Sequence, residues 1–186
     1  WDTARNGKLT PQDVLPGTEK RVWWVCGHGH HWRAAVSART NRQSGCPYCS
    51  GKLVLPGFND LASQNPVLAA QWDTERNGTL TPQQVTLTSN RKAWWICEKG
   101  HSFQAVIASR ANGTGCPYCT NKKVLAGFND LATVEPRIAA EWHPTLNGSL
   151  TPEMVTAGSR KKVWWMCPLG HVWKAAIYPR TVARKC

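Results

Sequence analysis

The chain has 186 residues, a formal net charge of +12 and a pI of about 9.7. No apolar run reaches the roughly 18 residues a spanning helix needs, and no signal peptide is visible, so the composition excludes a membrane-helix class and fits a basic protein with a polyanionic partner. All 8 cysteines are placed by a repeat, with none left over.

Trp1 aligns with Trp72 and Trp142, so the chain begins inside a repeat. Before the second and third of these tryptophans stand Asn65-Pro66-Val67-Leu68-Ala69-Ala70-Gln71 and Glu135-Pro136-Arg137-Ile138-Ala139-Ala140-Glu141. Proline at a first helical position, followed by aliphatic residues, predicts a short helix. Leu68 and Trp72 then share one face for packing. Asn6-Gly7, Asn77-Gly78 and Asn147-Gly148 predict turns. Thr10-Pro11, Thr81-Pro82 and Thr151-Pro152 predict a second short helix with threonine as N-cap. Asp13 and Gln84 are placed to close a capping box there, whereas Met154 is not.

A Trp-Trp strand follows, entered by Lys20-Arg21, Arg91-Lys92 or Arg160-Lys161-Lys162. Alternation along a strand puts one tryptophan of each pair in the core and the other on the opposite face, where packing is the expected role and stacking on a base the alternative. A second strand is predicted over residues 32–36, 103–107 and 173–177, ending near Arg39, Arg110 and Arg180. Gly57-Phe58-Asn59-Asp60-Leu61-Ala62 and its copy at 127–132 are too apolar for free linkers; they are expected to pack on the helices ending at Trp72 and Trp142.

Between and after these strands lie the cysteines. Cys26 and His30 are followed by Cys46 and Cys49; Cys97 and His101 are followed by Cys116 and Cys119. Cys167 and His171 are followed by Cys186 alone, so the third set lacks its last cysteine and the chain reads as cut from a longer one. Disulfides are the bland alternative, but Cys-x-x-Cys paired with Cys-x-x-x-His is metal spacing. Three thiolates and an imidazole select a tetrahedral ion, with zinc the default, about one per repeat. A closed four-ligand shell is structural rather than catalytic. His28 and His31 have no histidine counterparts in the other repeats, so His30 is read as the ligand and its two neighbours as exposed; His143 is read as a surface residue. Retained thiolates indicate a reducing, intracellular setting, cytoplasm or nucleoid if the source is bacterial.

The organisation is three units, 1–56, 57–126 and 127–186, the last stopping at its second knuckle. Each is a small metal-stabilised α+β unit: a β-hairpin with zinc knuckles plus short helices, of zinc-ribbon or treble-clef layout. Charge follows the same period. Residues 20–50 carry five basic residues and no acid, residues 160–186 seven and no acid, and residues 91–119 four against Glu98. Lys20, Arg21, Arg39, Arg91, Lys92, Arg110, Arg160, Lys161, Lys162 and Arg180 recur with the repeat and suit phosphate contacts. Positions that vary within the frame suit base contacts: His28, Arg33, Asn41, Arg42, Lys99, Gln104, Asn112, Lys174 and Tyr178. For Arg33, Gln104 and Lys174, neutral drift on an exposed strand is the competing reading.

Asn-Gly-x-Leu-Thr-Pro, Trp-Trp-x-Cys-x-x-Gly-His-x-Trp, an arginine and Gly-Cys-Pro-Tyr-Cys together resemble the probable zinc-ribbon family of tandem repeats, over essentially the whole chain; Phe103 replaces one usual tryptophan. The resemblance implies a treble-clef or zinc-ribbon fold and nucleic-acid binding, sometimes beside a nuclease-like domain, and it carries the metal positions over to the eleven cysteines and histidines paired above. The expected function is modular, zinc-dependent binding of double-stranded DNA with sequence preference. RNA or single strands, or a protein-interaction array joined to other domains of a longer parent, are the alternatives. No carboxylate pair or nucleophile–base motif recurs, so no enzyme is expected.

Overall fold

Each Trp-Trp segment forms the first strand of a two-stranded sheet. The computed structural model describes residues 1–183; it pairs β1 (Arg21–Val25) with β2 (His31–Ala35), β3 (Lys92–Ile96) with β4 (Ser102–Val106), and β5 (Lys162–Met166) with β6 (Val172–Ala176). In chain order the helices are α1 (Thr3–Asn6), α2 (Val36–Thr40), α3 (Leu61–Gln64), α4 (Pro66–Ala69), α5 (Thr74–Asn77), α6 (Ile107–Ala111), α7 (Leu131–Val134), α8 (Pro136–Ala139) and α9 (Ile177–Ala183). The result is a small α+β fold of hairpins, short helices and Cys/His clusters, as treble-clef repeats require. Among the described residues no helix is long and apolar enough to cross a membrane.

In the first hairpin Trp23 lies opposite Arg33 and Trp24 opposite Trp32; in the third, Trp164 lies opposite Lys174 and Trp165 opposite Trp173. Alternation therefore sends Val22, Trp24 and Trp32 to an inner face and Arg21, Trp23 and Arg33 to an outer one. The second tryptophan of each pair is the inner one: Trp95 and Trp165 are fully buried. Its indole N–H donates to a carbonyl across the hairpin, Ala105 for Trp95 and Ala175 for Trp165, both at 3.1 Å, so the burial leaves no polar atom unpaired.

The predicted second strands end one residue early. Val36, Ile107 and Ile177 start helices instead, and all three are buried. The cause is a backbone clamp to the segment ahead of the first strand. Val36 donates to Lys20 and Ser37 to Thr18; Ile107 donates to Arg91 and Ala108 to Ser89; Ile177 donates to Lys161 and Tyr178 to Ser159. These long-range bonds turn the chain inward and bury an aliphatic side chain at the corner.

The chain divides into two compact units, one comprising 1–98 with 104–113, the other 99–103 with the residues from 114 onward. In the first, Leu61, Leu68, Val85, Ala93, Trp95 and Ile107 are buried, and Trp72 meets Trp95 edge-on at 5.1 Å. In the second, Leu131, Ile138, Val155, Val163, Trp165 and Ile177 form one cluster with Trp142 and Trp173 packed against it. Burying each Leu or Ile contributes about 1.5–3 kcal/mol. The predicted helices at Pro66 and Pro136 are present, with Leu68 and Ile138 facing these cores. The threonine-capped elements are single 3-10 turns. Capping boxes form at Thr10/Asp13 and Thr81/Gln84, with N–H donation to the side chain at 2.8 and 3.1 Å, and the third turn with Met154 lacks one.

The Asn-Gly pairs do more than turn the chain. Asn6, Asn77 and Asn147 each bond both backbone groups of the outer tryptophan, Trp23, Trp94 and Trp164 respectively, at 2.8–2.9 Å. A side-chain amide thereby caps the open strand edge and satisfies groups that would otherwise invite another strand.

Candidate metal centres

The first half-site is the hairpin turn itself. Cys26 N–H donates to the His30 carbonyl at 3.1 Å and Gly29 N–H to the Cys26 carbonyl at 2.9 Å. Gly29 has φ +78°, a left-handed conformation that favours glycine, and Gly100 and Gly170 repeat it at +78° and +81°. The second half-site, Cys46 to Cys49, is a turn closed by Ser50 N–H on the Cys46 carbonyl at 3.0 Å; Thr120 N–H closes the Cys116 turn in the same way.

The two halves meet. Ligand atoms of Cys26, His30, Cys46 and Cys49 all lie within 4.8 Å of one another, as do those of Cys97, His101, Cys116 and Cys119. A tetrahedral zinc with Zn–S of about 2.3 Å and Zn–N of about 2.0 Å requires edges of about 3.8 Å between sulfurs and about 3.5 Å between sulfur and nitrogen. The observed edges match: Cys26 Sγ to Cys49 Sγ is 3.8 Å, and His30 Nδ1 lies 3.5, 3.7 and 3.3 Å from the sulfurs of Cys26, Cys46 and Cys49. His101 Nδ1 lies 3.8 and 3.3 Å from those of Cys116 and Cys119. The donor set and spacing fit zinc, with Nδ1 as the imidazole ligand atom. In the third repeat Cys167 and His171 form the same hairpin knuckle, with N–H donation at 3.1 and 2.9 Å; Cys186 lies outside the described residues.

The electrostatics favour ionising Cys26 before Cys49. Burial pushes the Cys26 thiol up, but the backbone N–H groups of His28 and His30 and the neighbouring thiols outweigh it, bringing Cys26 down to about 6. Cys49 is exposed, yet partial desolvation and its neighbours Cys46 and Cys26 push it up to about 11. A bound dication reverses that penalty, since it holds several thiolates at once.

Three features around the metal escape a reading of spacing. Phe58 packs edge-on against the His30 ring at 4.2 Å and Phe128 against His101 at 4.2 Å, while Tyr48 and Tyr118 approach the same rings at 5.8 and 5.7 Å. Asn59 and Asn129 donate to the carbonyls of Tyr48 and Tyr118 at 2.7 and 2.9 Å, latching the second knuckle. Asp60 and Asp130, fully buried, cap the next helix by accepting from Ser63 and Thr133 N–H. The Gly-Phe-Asn-Asp-Leu stretch therefore covers a zinc ligand at one end and enters the next core through Leu61 or Leu131 at the other. Its repetition in both connections was the available signal.

Of the histidines beside His30, one is exposed as expected and the other is not. His28 is exposed and its Nδ1 lies 3.5 Å from Cys49 Sγ. His31 is not simply exposed: it is half-buried, with Nδ1 2.5 Å from Asp2 Oδ2, because Asp2 sits beside it as the buried N-cap of α1. His143 occupies the position of Asp2 and Asp73 and takes over their capping role, accepting from Thr145 and Leu146 N–H at 3.3 and 3.2 Å.

The candidate phosphate residues separate into two groups. Lys20, Arg21, Arg91, Lys92, Arg160, Lys161 and Lys162 are exposed at the entry to each hairpin. Arg39, Arg110 and Arg180 instead serve the fold. Arg39 donates to the Ser44 carbonyl and lies over Trp24 and Trp32 at 5.2 and 5.6 Å. Arg110 donates to Gln71 and lies over Trp95 at 5.4 Å. Arg180 is buried, pairs with Glu141 and lies over Trp173 at 5.6 Å. Their recurrence reflects a shared inner-face contact. Of the candidate base-reading residues, His28, Arg33, Asn41, Arg42, Lys99, Gln104, Asn112, Lys174 and Tyr178 are all exposed. Asn41 and Asn112 cap the C-termini of α2 and α6, and Lys99 lies over Phe128 at 5.4 Å.

These hairpins, each carrying a Cys-x-x-x-His knuckle at its tip, define a zinc-binding repeat protein. The probable treble clef zinc finger domain matches residues 1–52, 68–122 and 138–186, and the chain belongs to that family as three tandem copies. Comparison with curated proteins finds no match.

Proposed function

We propose that the chain is a tandem nucleic-acid-binding array whose target is double-stranded DNA, contacted with sequence preference. The observation that carries this reading is the exposed basic entry to every hairpin, Lys20-Arg21, Arg91-Lys92 and Arg160-Lys161-Lys162, on a strand whose other end carries a Cys-x-x-x-His knuckle. A two-stranded ribbon fits a major groove about 12 Å wide, and tandem fingers can follow that groove. Sequence preference would come from exposed positions whose residue changes in at least one repeat: His28, Lys99 and Leu169 at one, Asn41, Asn112 and Val182 at another. The metal shells are structural, and the array binds rather than catalyses. Thiolate ligands suit a reducing compartment.

A duplex titrated at several salt concentrations tests the reading. Binding should weaken steeply as salt rises, as counterion release requires, and a single strand of the same sequence should compete poorly. Salt-insensitive binding, or none, would remove it. The hairpin tips favour a second reading, a protein partner, because Val25, Ile96 and Met166, at the same position of the three repeats, are each 37–40% exposed. Preference for single strands would move the target to RNA or single-stranded DNA.

A further inference from the structure

The outer tryptophans are half-buried, and each carries a cation over its ring. Arg5 and Arg33 lie 5.0 and 6.0 Å from Trp23, Arg76 lies 4.9 Å from Trp94, and Lys174 lies 5.6 Å from Trp164. The cations come from two different places. One is the last turn of α1 or α5, occupied by Arg5 and Arg76 and by Leu146 in the third repeat. The other is the second strand, occupied by Arg33, Gln104 and Lys174. Where the strand supplies an uncharged Gln104, the helix supplies Arg76; where the helix position is Leu146, the strand supplies Lys174. Every hairpin therefore keeps a positive charge on its outer tryptophan, although neither position is basic in all three.

A role in the fold alone accounts poorly for this pattern. The cations over the inner face, Arg39, Arg110 and Arg180, occupy a single position, have intermediate or buried side chains, and bond to fixed partners. The outer cations are exposed. Arg5 and Arg76 meet the capping aspartates Asp2 and Asp73 through Nε, at 3.7 and 3.8 Å, and stay 47% and 53% exposed. A tryptophan face restrains a guanidinium or ammonium group while leaving its N–H donors in water. Such a group is pre-oriented for an anion and loses less side-chain freedom on binding than a free surface lysine.

We propose that Arg5, Arg33, Arg76 and Lys174 are phosphate contacts of this protein, and that Trp23, Trp94 and Trp164 are positioning residues that hold them. The proposal rests on the nucleic-acid reading and assigns that reading a surface: the outer hairpin face. It also gives the variation among Arg33, Gln104 and Lys174 a cause other than base recognition, namely exchange of one phosphate-facing charge between two positions.

The test is the salt dependence of duplex binding for the full chain and for the variant R5Q/R33Q/R76Q/K174Q, with zinc content and circular dichroism checked for both. Each lost phosphate contact lowers the slope of log K against log salt by about 0.9, so the expected loss is about 3.6. Should the fourfold variant fail to fold, R5Q/R33Q and R76Q/K174Q each carry half of that loss. Trp94→Leu, which leaves the charge unchanged, should weaken binding of the folded protein; unchanged affinity would overturn the positioning role. If the unaltered protein shows a steep slope and the folded variants keep it, the phosphate assignment is wrong while the nucleic-acid reading stands. If the unaltered protein itself shows no salt-dependent binding, the reading fails and the assignment with it.

Discussion

The two faces of each hairpin carry the same residue types and use them differently. On the inner face of the second and third hairpins a tryptophan is fully buried, and an arginine lies over an aromatic ring with one donor bound within the fold, as for Trp165 and for Arg180 with Glu141; Trp24 of the first hairpin is half-buried. On the outer face a tryptophan is half-exposed and its cation reaches solvent, as for Trp164 and Lys174. One residue of offset along β5 separates the two tryptophans. A Trp–cation pair thus has no fixed meaning; its burial and the partners of its charge decide whether it stabilises the fold or presents a ligand-binding group.

Removing metal should erase the comparison altogether. Structural zinc supplies apparent folding free energy on the order of 10–16 kcal/mol in small domains, so a chelator should abolish the near- and far-ultraviolet circular dichroism of both faces; an unchanged spectrum would refute structural zinc. Next in size is Trp165→Ala against Trp164→Ala. The inner substitution should cost about 3–5 kcal/mol in denaturant unfolding, the outer one much less, and equal costs would undo the distinction between the faces.

Glu141→Ala should cost a comparable amount, about 3–5 kcal/mol, because it leaves the buried Arg180 charge uncompensated. Gln71→Ala, which removes a neutral partner of the half-buried Arg110, should cost less. The ranking is read from denaturant midpoints at saturating zinc.

A smaller effect concerns the caps that lead into the inner cores. Burial pushes Asp60 and Asp130 up, but hydroxyl and backbone donors from Ser63, Thr133, Gly57 and Gly127 hold both below the ordinary carboxylate value. A lowered folded value means that their contribution is present above the unfolded pKa of about 3.9 and is lost as pH falls through the folded one. The stability gap between the unaltered protein and Asp130→Asn should therefore narrow below about pH 4; a gap that widens would contradict the assignment.

Much of the metal centre was legible from sequence because its halves are local. Cys26 and His30 are joined by one tight turn, Cys46 and Cys49 by another, and each turn's chemistry is written in its own Gly or Pro. The threonine caps, the proline-led helices and the alternation of the Trp-Trp strands were legible for the same reason: their determinants lie within a few residues. The helices that begin at Val36, Ile107 and Ile177 were not, because their direction is set by hydrogen bonds to residues ahead of the first strand.

What the tertiary structure alone decided is which side of a repeated residue faces the protein. Recurrence marked Arg39, Arg110 and Arg180 as a common contact, but a shared phosphate and a shared core both produce recurrence. Arg110 meets Gln71 and Arg180 meets Glu141 across 39 residues of chain, a distance over which no local propensity acts. The sequence by itself determined the metal chemistry, the repeat and the basic character of the hairpins. Burial, a property of the packed chain, determined which of those charges remain free to meet a partner.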